Sequence, residues 1–321
     1  MKIYHQTESI RIDKPVVTIG FFDGLHRGHR SLLDKMVNLA AAEKRATLVI
    51  TFWPQPRSVV HPHENKSGLL TTLGEKLWLL EKMRIDYCWV IPFDMKLAAL
   101  PAEDFIRNYL TAYFVPVHLV IGDDHRFGKG GAGDLSMLRQ IGRTTGFQVH
   151  PVDLHLEGSH KISSSFIRSC LQSGDLASVN RLLGYPYLVT GKVITGKKVG
   201  RSLGFPTANV GLPDLAKIIP ADGVYAVQVN LKGDCYNGML NIGVRPTVDD
   251  LNHKTIEVHL FDVTQDLYGE TLRIFFVRKL RDEMKFNRLD ELKAQLVKDR
   301  EQTMEILTDW RSEGMYYLCN K

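Results

Sequence analysis

Two stretches of this chain carry residue types suited to handling phosphate. Gly20–His29 reads GFFDGLHRGH, with His26 and His29 three residues apart and glycines at 20, 24 and 28. Glycine lets the backbone approach a ligand closely. A helix opening at Gly28–Arg30 would present free N–H groups to an anion. Two imidazoles at that mouth can donate hydrogen bonds to phosphate oxygens as charge builds during displacement at phosphorus. The competing reading is a pair of surface histidines in a turn.

The second stretch, Gly191–Asn209, reads GKVITGKKVGRSLGFPTAN. Gly191, Gly196, Gly200 and Gly204, with Lys197, Lys198 and Arg201, would make a backbone cradle with cationic support. Thr207 and Asn209 offer hard oxygen atoms that suit Mg²⁺ carrying substrate phosphates. No Walker A pattern is present, and a Gly-rich turn before an ordinary strand accounts for the same residues. Glu257, in TIEVHLFD, alternates with Ile256 and Val258 and so faces away from them. It is a candidate base for a substrate hydroxyl, or simply a solvent-facing carboxylate.

The elements around these stretches follow two rhythms. Up to about residue 160, apolar β-branched runs at 15–20, 46–52, 87–93, 117–122 and 147–153 alternate with helical patterns such as 30–45 and 73–84. That alternation predicts a doubly wound parallel sheet, in which ligands bind beyond the carboxyl ends of the strands. Both Gly20–His29 and the loop Gly122–Asp134, GDDHRFGKGGAGD, fall there. Arg126 and Lys129 suit a flexible loop over a ligand, and a solvated surface loop fits the composition equally. A helical pair at 163–171 and 175–183 closes this half. Its opening ISSSFIR reads first as an N-cap. Short strands at 187–194, 224–231, 236–242, 254–261 and 271–277 then predict a small antiparallel barrel. A helix over 289–307 would pack on it through Leu292, Leu296 and Val297. The expected boundary divides the chain into 1–184 and 185–321, each large enough to fold alone.

The chain has 321 residues and a formal charge of +5, spread as +4 over residues 1–184 and +1 over the rest. Neither half holds the basic stretch expected of a nucleic-acid binder. Cys88, Cys170, Cys235 and Cys319 are scattered, without a CxxC pair. No signal-peptide core or membrane-length apolar run is visible, so the expected setting is a reducing cytoplasm with no membrane partner. Oligomeric state is not legible.

Taken in order, TIGFFDGLHRGH, TFWPQP, LLTTLGEKLWLLEKM, IGDDHRFGKGGAGD, ISSSFIR, GKKVGRSLGFPTAN, PADGVYA, YNGMLNIGVRPT, IEVHLFD and DLYGETL resemble the bacterial bifunctional riboflavin kinase/FMN adenylyltransferases. Gly20–His29 is similar to the HxGH motif of nucleotidyltransferases, and ISSSFIR to their second signature. The resemblance implies an N-terminal domain that adenylylates FMN to FAD and a C-terminal barrel that phosphorylates riboflavin. It implies ATP contacts in the first domain from Gly20, Phe21, Asp23, Gly24, His26, His29, Arg126, Ser164, Ser165 and Arg168. Asp124 and Glu257 would touch flavin. In the barrel, Gly191, Lys197, Gly200, Arg201, Thr207 and Asn209 would bind ATP, Thr207 and Asn209 with Mg²⁺, and Glu257 would be the base. Gln55 stands where a histidine is common, and His125 where an aromatic is usual. The competing expectations are a kinase with a decayed first half, and a flavin- or nucleotide-binding regulator without turnover.

Overall fold

The computed structural model describes the chain outside residues 6–9, 63–67, 154–155, 158–159, 196–203, 246–252, 313–317 and 320–321. It forms two compact units, Met1–Gly68 with Lys76–Ser164, and Leu69–Glu75 with Ser165–Lys321.

The first unit is built on a six-stranded sheet: β1 (Lys2–Tyr4), β2 (Val16–Ile19), β3 (Thr47–Trp53), β4 (Tyr87–Pro92), β5 (His118–Gly122) and β6 (Gln148–Val152). Their order is β1-β4-β3-β2-β5-β6, and every neighbouring pair is parallel. Runs such as VVTI and TLVITFW are almost wholly buried, threonines included, as expected of central strands in a covered parallel sheet. The helix Arg27–Glu43 buries Leu32, Leu33, Met36 and Ala40 on one stripe and so faces the sheet. The order reverses between β2 and β5, which makes the carboxyl ends of those two strands the switch point of the sheet. The edge strand β1 has only three residues, too few for a periodic signal. The loop after β5 folds back on itself: Phe127 and Gly133 exchange backbone hydrogen bonds of 3.2 and 2.9 Å, and Phe127 is buried. A small hairpin, β7 (Leu156–Glu157) and β8 (His160–Lys161), follows β6.

The second unit holds a closed antiparallel barrel of β9 (Tyr187–Ile194), β10 (Ala208–Gly211), β11 (Gly223–Leu231), β12 (Asp234–Arg245), β13 (His253–Leu260) and β14 (Thr271–Arg281). The order is β10-β13-β12-β11-β14-β9, and β9 closes it by pairing with β10 as well as β14. The closing strand β10 begins at Ala208, within GFPTAN, and is absent from the strands expected from periodicity. The helix Ser164–Gln172, from Ser165 on, and the helix Leu176–Leu183 belong to this unit. Asn180 binds the second of them to the barrel, donating to the Phe276 carbonyl at 2.8 Å and accepting from the Tyr187 N–H at 2.8 Å.

The strap Leu69–Glu75 is also part of the barrel unit. Thr72 and Glu75 form a capping box, with the Thr72 N–H on Glu75 at 2.9 Å and the Glu75 N–H on Thr72 Oγ1 at 3.2 Å. Glu75 also accepts from the Thr190 N–H at 2.6 Å and from Lys217 Nζ at 2.8 Å. Lys217 is completed by the Leu70 and Leu188 carbonyls at 2.5 and 2.6 Å, and neither side chain of the ion pair is exposed. A carboxylate from residue 75 thus neutralises an ammonium inside the barrel unit.

The terminal helix Leu289–Ser312 corrects the expected packing stripe. Val297 is exposed, and the inward residues are Asp299, Thr303, Ile306 and Leu307 with Leu296 at the margin. Asp299 accepts a fork from Arg281, at 3.0 Å from Nε and 2.7 Å from Nη2. A polar centre hid the stripe from a hydrophobic pattern. Cys235 and Cys319, unpaired in the sequence reading, form a disulfide with Cα atoms 5.5 Å apart.

Candidate active sites

The first site grows from the turn between β2 and the helix Arg27–Glu43. Phe22, Gly24 and Leu25 all have positive φ (55°, 78° and 38°), so the chain reverses within a few residues and brings the histidines to the strand ends. His26 caps the helix, its Nδ1 accepting the His29 N–H at 3.3 Å. That bond leaves Nε2–H as the donor of a neutral His26. The two rings stack 3.7 Å apart at 16°. A Cβ on Gly28 would lie 3.3 Å from the His26 ring, so glycine between the histidines keeps the stack open on that side. Burial pushes His29 well below its ordinary pKa, with His26 and Lys76 adding to the effect. His29 Nδ1 is buried without a hydrogen-bond partner among the described residues. A neutral imidazole with an unused buried nitrogen is suited to a ligand contact.

A cavity of about 260 Å³ opens beside this pair, lined by His26, Gly28, His29, Gly122, Asp124, Asp153, Lys161 and Ser164. The carboxyl ends of β2 and β5 therefore supply one site, as the switch-point rule expects. Ser164 Oγ donates to the Asp23 carbonyl at 2.9 Å within the first unit. Its helix carries Ser165 and a buried Arg168 within the barrel unit. Asp124 is ion-paired with Lys161, a cation the sequence reading did not single out.

A larger cavity, about 810 Å³, adjoins Gly20 and Phe21. Its walls are Phe52, Phe93, Phe105, Phe127 and His125, with Arg57, Arg126 and Lys129 around them. Arg126 is exposed and pairs with Asp134 at 3.5 Å. These aromatic residues lie on a strand, a helix and separate loops, so no local motif announces the cavity. His125 lies nearly parallel to Phe127, centroids 6.1 Å apart at 22°, and burial lowers its pKa to about 4. It is a neutral flat ring at neutral pH, which does the packing of an aromatic residue. Gln55 is buried at the start of the helix Pro56–Val60, beside Pro56 and Arg57 of the cavity wall.

In the barrel, register places Asn209, Glu257 and Asn241 side by side across β10, β13 and β12. Paired residues of neighbouring strands project from the same face of the sheet. Thr207 Oγ1 donates to Glu257 Oε2 at 3.3 Å. Thr207 and Asn209 also line a cavity of about 550 Å³ with Val193, Val258, Leu260 and residues 263–268. Gly191 is held differently. A Cβ there would meet Val210 Cγ1 at 2.4 Å and Gly211 O at 2.7 Å, so its glycine allows β9 and β10 to pack. Lys197, Gly200 and Arg201 lie outside the described residues. Asn241 was missed in the sequence although it sits within YNGMLNIG; only strand register reveals its neighbour.

Residues 9–166 match the FAD synthetase family model, and residues 183–307 match the riboflavin kinase model. The bifunctional riboflavin kinase/FMN adenylyltransferase of Escherichia coli K12 is 40% identical over 285 residues, covering 88% of this chain and 90% of that protein. The Bacillus subtilis 168 protein of the same name is 37% identical over 301 residues, covering 93% and 94%. The chain belongs to this family. A crystal structure from Streptococcus pneumoniae, described as a macrolide-efflux protein, superposes with a TM-score of 0.84 at 30% identity over 95% of this chain and 98% of that one. In this chain no described helix is long and apolar enough to cross a membrane.

Proposed function

We propose that residues 1–184 transfer the adenylyl group of ATP to FMN, and that residues 185–321 transfer the γ-phosphoryl group of ATP to riboflavin. Family membership makes the chain a bifunctional transferase of flavin cofactor biosynthesis, with riboflavin, FMN and ATP as substrates. The observation that carries the first assignment is the stacked His26–His29 pair at the sheet's switch point, opening onto one cavity and adjoining a second, aromatic one.

In adenylyl transfer a phosphate oxygen of FMN attacks the α-phosphorus of ATP, and the bond to the bridging oxygen breaks to release pyrophosphate. The nucleophile is already an anion and needs no base. Repulsion between anions is the obstacle, and imidazole donors, the helix N-terminus and Arg168 would offset it. Gly20, Phe21, Asp23 and Gly24 shape the turn against the nucleotide, with Ser164 and Ser165 at the triphosphate. The aromatic cavity suits the isoalloxazine ring, which stacks on flat walls, while Arg126 faces the phosphates. Asp124 would help hold the flavin chain.

In the kinase the nucleophile is a neutral ribityl hydroxyl. Glu257 takes its proton as oxygen bonds to the γ-phosphorus and ADP leaves. Thr207 and Asn209 beside Glu257 form a set of hard oxygen donors that fits Mg²⁺ bound mainly through phosphates. They would hold the ion, which would shield phosphate charge. Gly191, Lys197, Gly200 and Arg201 complete the proposed ATP subsite, and the enzyme works in the cytoplasm.

One incubation with riboflavin, ATP and Mg²⁺, followed by chromatography of the flavins, tests the scheme. FMN and FAD should both form. FMN alone would mean a decayed first half, and neither product would mean a non-catalytic regulator.

A further inference from the structure

The helix Leu73–Lys82 places Lys76 in the interior of the first unit, with no part of it exposed. A wholly buried lysine is rare because desolvating an ammonium is costly. Its Nζ lies 3.7 Å from the centre of the Phe21 ring and 5.8 Å from that of Trp53. It is also 3.4 Å from Thr51 Oγ1, and that hydroxyl donates to the Phe21 carbonyl at 3.2 Å. The ammonium therefore holds Phe21 twice, through its ring and through its backbone. Phe21 sits at the wall of the aromatic cavity, and the turn that begins there delivers His26 and His29.

We propose that Lys76 is a positioning residue for adenylyl transfer, whose buried positive charge fixes the Phe21 turn beneath the histidine pair. The proposal rests on the assignment of Gly20–His29 as the adenylyl-transfer site. The charged groups facing the ammonium are few. Asp23 in the turn favours its protonation, and His29 on the helix Arg27–Glu43 feels its charge. Cys88 on β4 is a neutral thiol, pushed up to about 12 by burial. Glu75, its neighbour in sequence, is committed to Thr190 and Lys217. Burial brings Lys76 down to about 8. Its charge is accordingly present at neutral pH and lost as pH rises through that value.

FAD formation from supplied FMN should lose rate on an alkaline limb near pH 8, and riboflavin phosphorylation by the same preparation should not follow that limb. Lys76→Met keeps the length of the side chain without the charge. It should lower kcat/KM for FAD formation by roughly 10- to 100-fold at pH 7, the scale of a small misplacement of reacting groups. It should also abolish the limb and leave riboflavin kinase activity unchanged. Lys76→Arg, charged at every pH used, should retain more activity than Lys76→Met and displace the limb upward. Thr51→Val should give a smaller loss by removing the hydroxyl link alone. A folded Lys76→Met with wild-type FAD kinetics and an unchanged limb would reduce Lys76 to packing. If that variant fails to fold, a wild-type profile flat from pH 7 to 9 overturns the proposal. Wild-type protein that makes no FAD at all refutes the site assignment instead.

Discussion

The roles proposed for His29 and Glu257 should make the chemistry of the two halves separable at the level of single side chains. His29 stacks on His26 and keeps a buried nitrogen without a hydrogen-bond partner among the described residues. Replacing it with alanine removes a donor that strengthens as charge develops. His29→Ala should lower FAD formation by about 10²–10³ in rate while FMN formation continues. Equal loss of both activities in a folded variant would argue against two independent sites. Glu257 accepts from Thr207 and lies level with Asn209 and Asn241. Glu257→Gln retains size and hydrogen bonding but deletes the proposed base. It should cut riboflavin phosphorylation by about 10²–10⁴-fold and leave FAD synthesis from supplied FMN intact. Normal kinase turnover would make Glu257 a structural residue.

The working element of the first site is a turn plus the first residues of a helix. Gly24 holds φ 78°, where a side chain is strained, and Gly28 leaves only 3.3 Å between a hypothetical Cβ and the His26 ring. Gly28→Ala improves helix propensity by up to about 1 kcal/mol, so stability should hold or rise. The added methyl nevertheless obliges the His26 imidazole to give by a few tenths of an ångström within the stack, and FAD formation should fall. Thermal melts alongside kinetics separate these effects, and an unchanged rate would show that the stacked geometry is dispensable. The same logic applies at a larger span in the barrel. The face proposed for the kinase exists because β10, β13 and β12 align Asn209, Glu257 and Asn241 in register.

For the whole molecule, the strap Leu69–Glu75 alters what a fragment can do. A chain beginning near Tyr185 was expected from the change of rhythm to fold alone. It would lack Glu75 and the Leu70 carbonyl, leaving Lys217 buried without its carboxylate. Stranding one partner of a buried ion pair costs about 3–5 kcal/mol. Residues 185–321 should therefore melt well below the kinase transition of the full chain, and Lys217→Met in the fragment should recover part of the loss. A fragment as stable as the full chain would show that the strap contributes nothing.

Local chemistry and periodicity were enough to read the alternating parallel sheet, the barrel, the turn with His26 and His29, and the pairing of Thr207 with Asn209 in one motif. Each depends on residues within about ten positions of one another, where backbone preference and hydrophobic period act directly. Tertiary structure decided what depends on distant segments. The aromatic cavity collects Phe52, Phe93, Phe105 and Phe127 from four parts of the chain. Lys76 and Lys217 would read as ordinary surface lysines, and only folding shows each buried against a specific partner. Asp299 and Thr303 look outward-facing by composition, yet Arg281 makes them the centre of a buried stripe. Cys235 and Cys319 are 84 residues apart, and no spacing rule pairs them before the barrel and its tail bring their Cα atoms within 5.5 Å. Sequence pattern records what a residue prefers, whereas burial, register and charge pairing are set by whatever the rest of the chain places beside it.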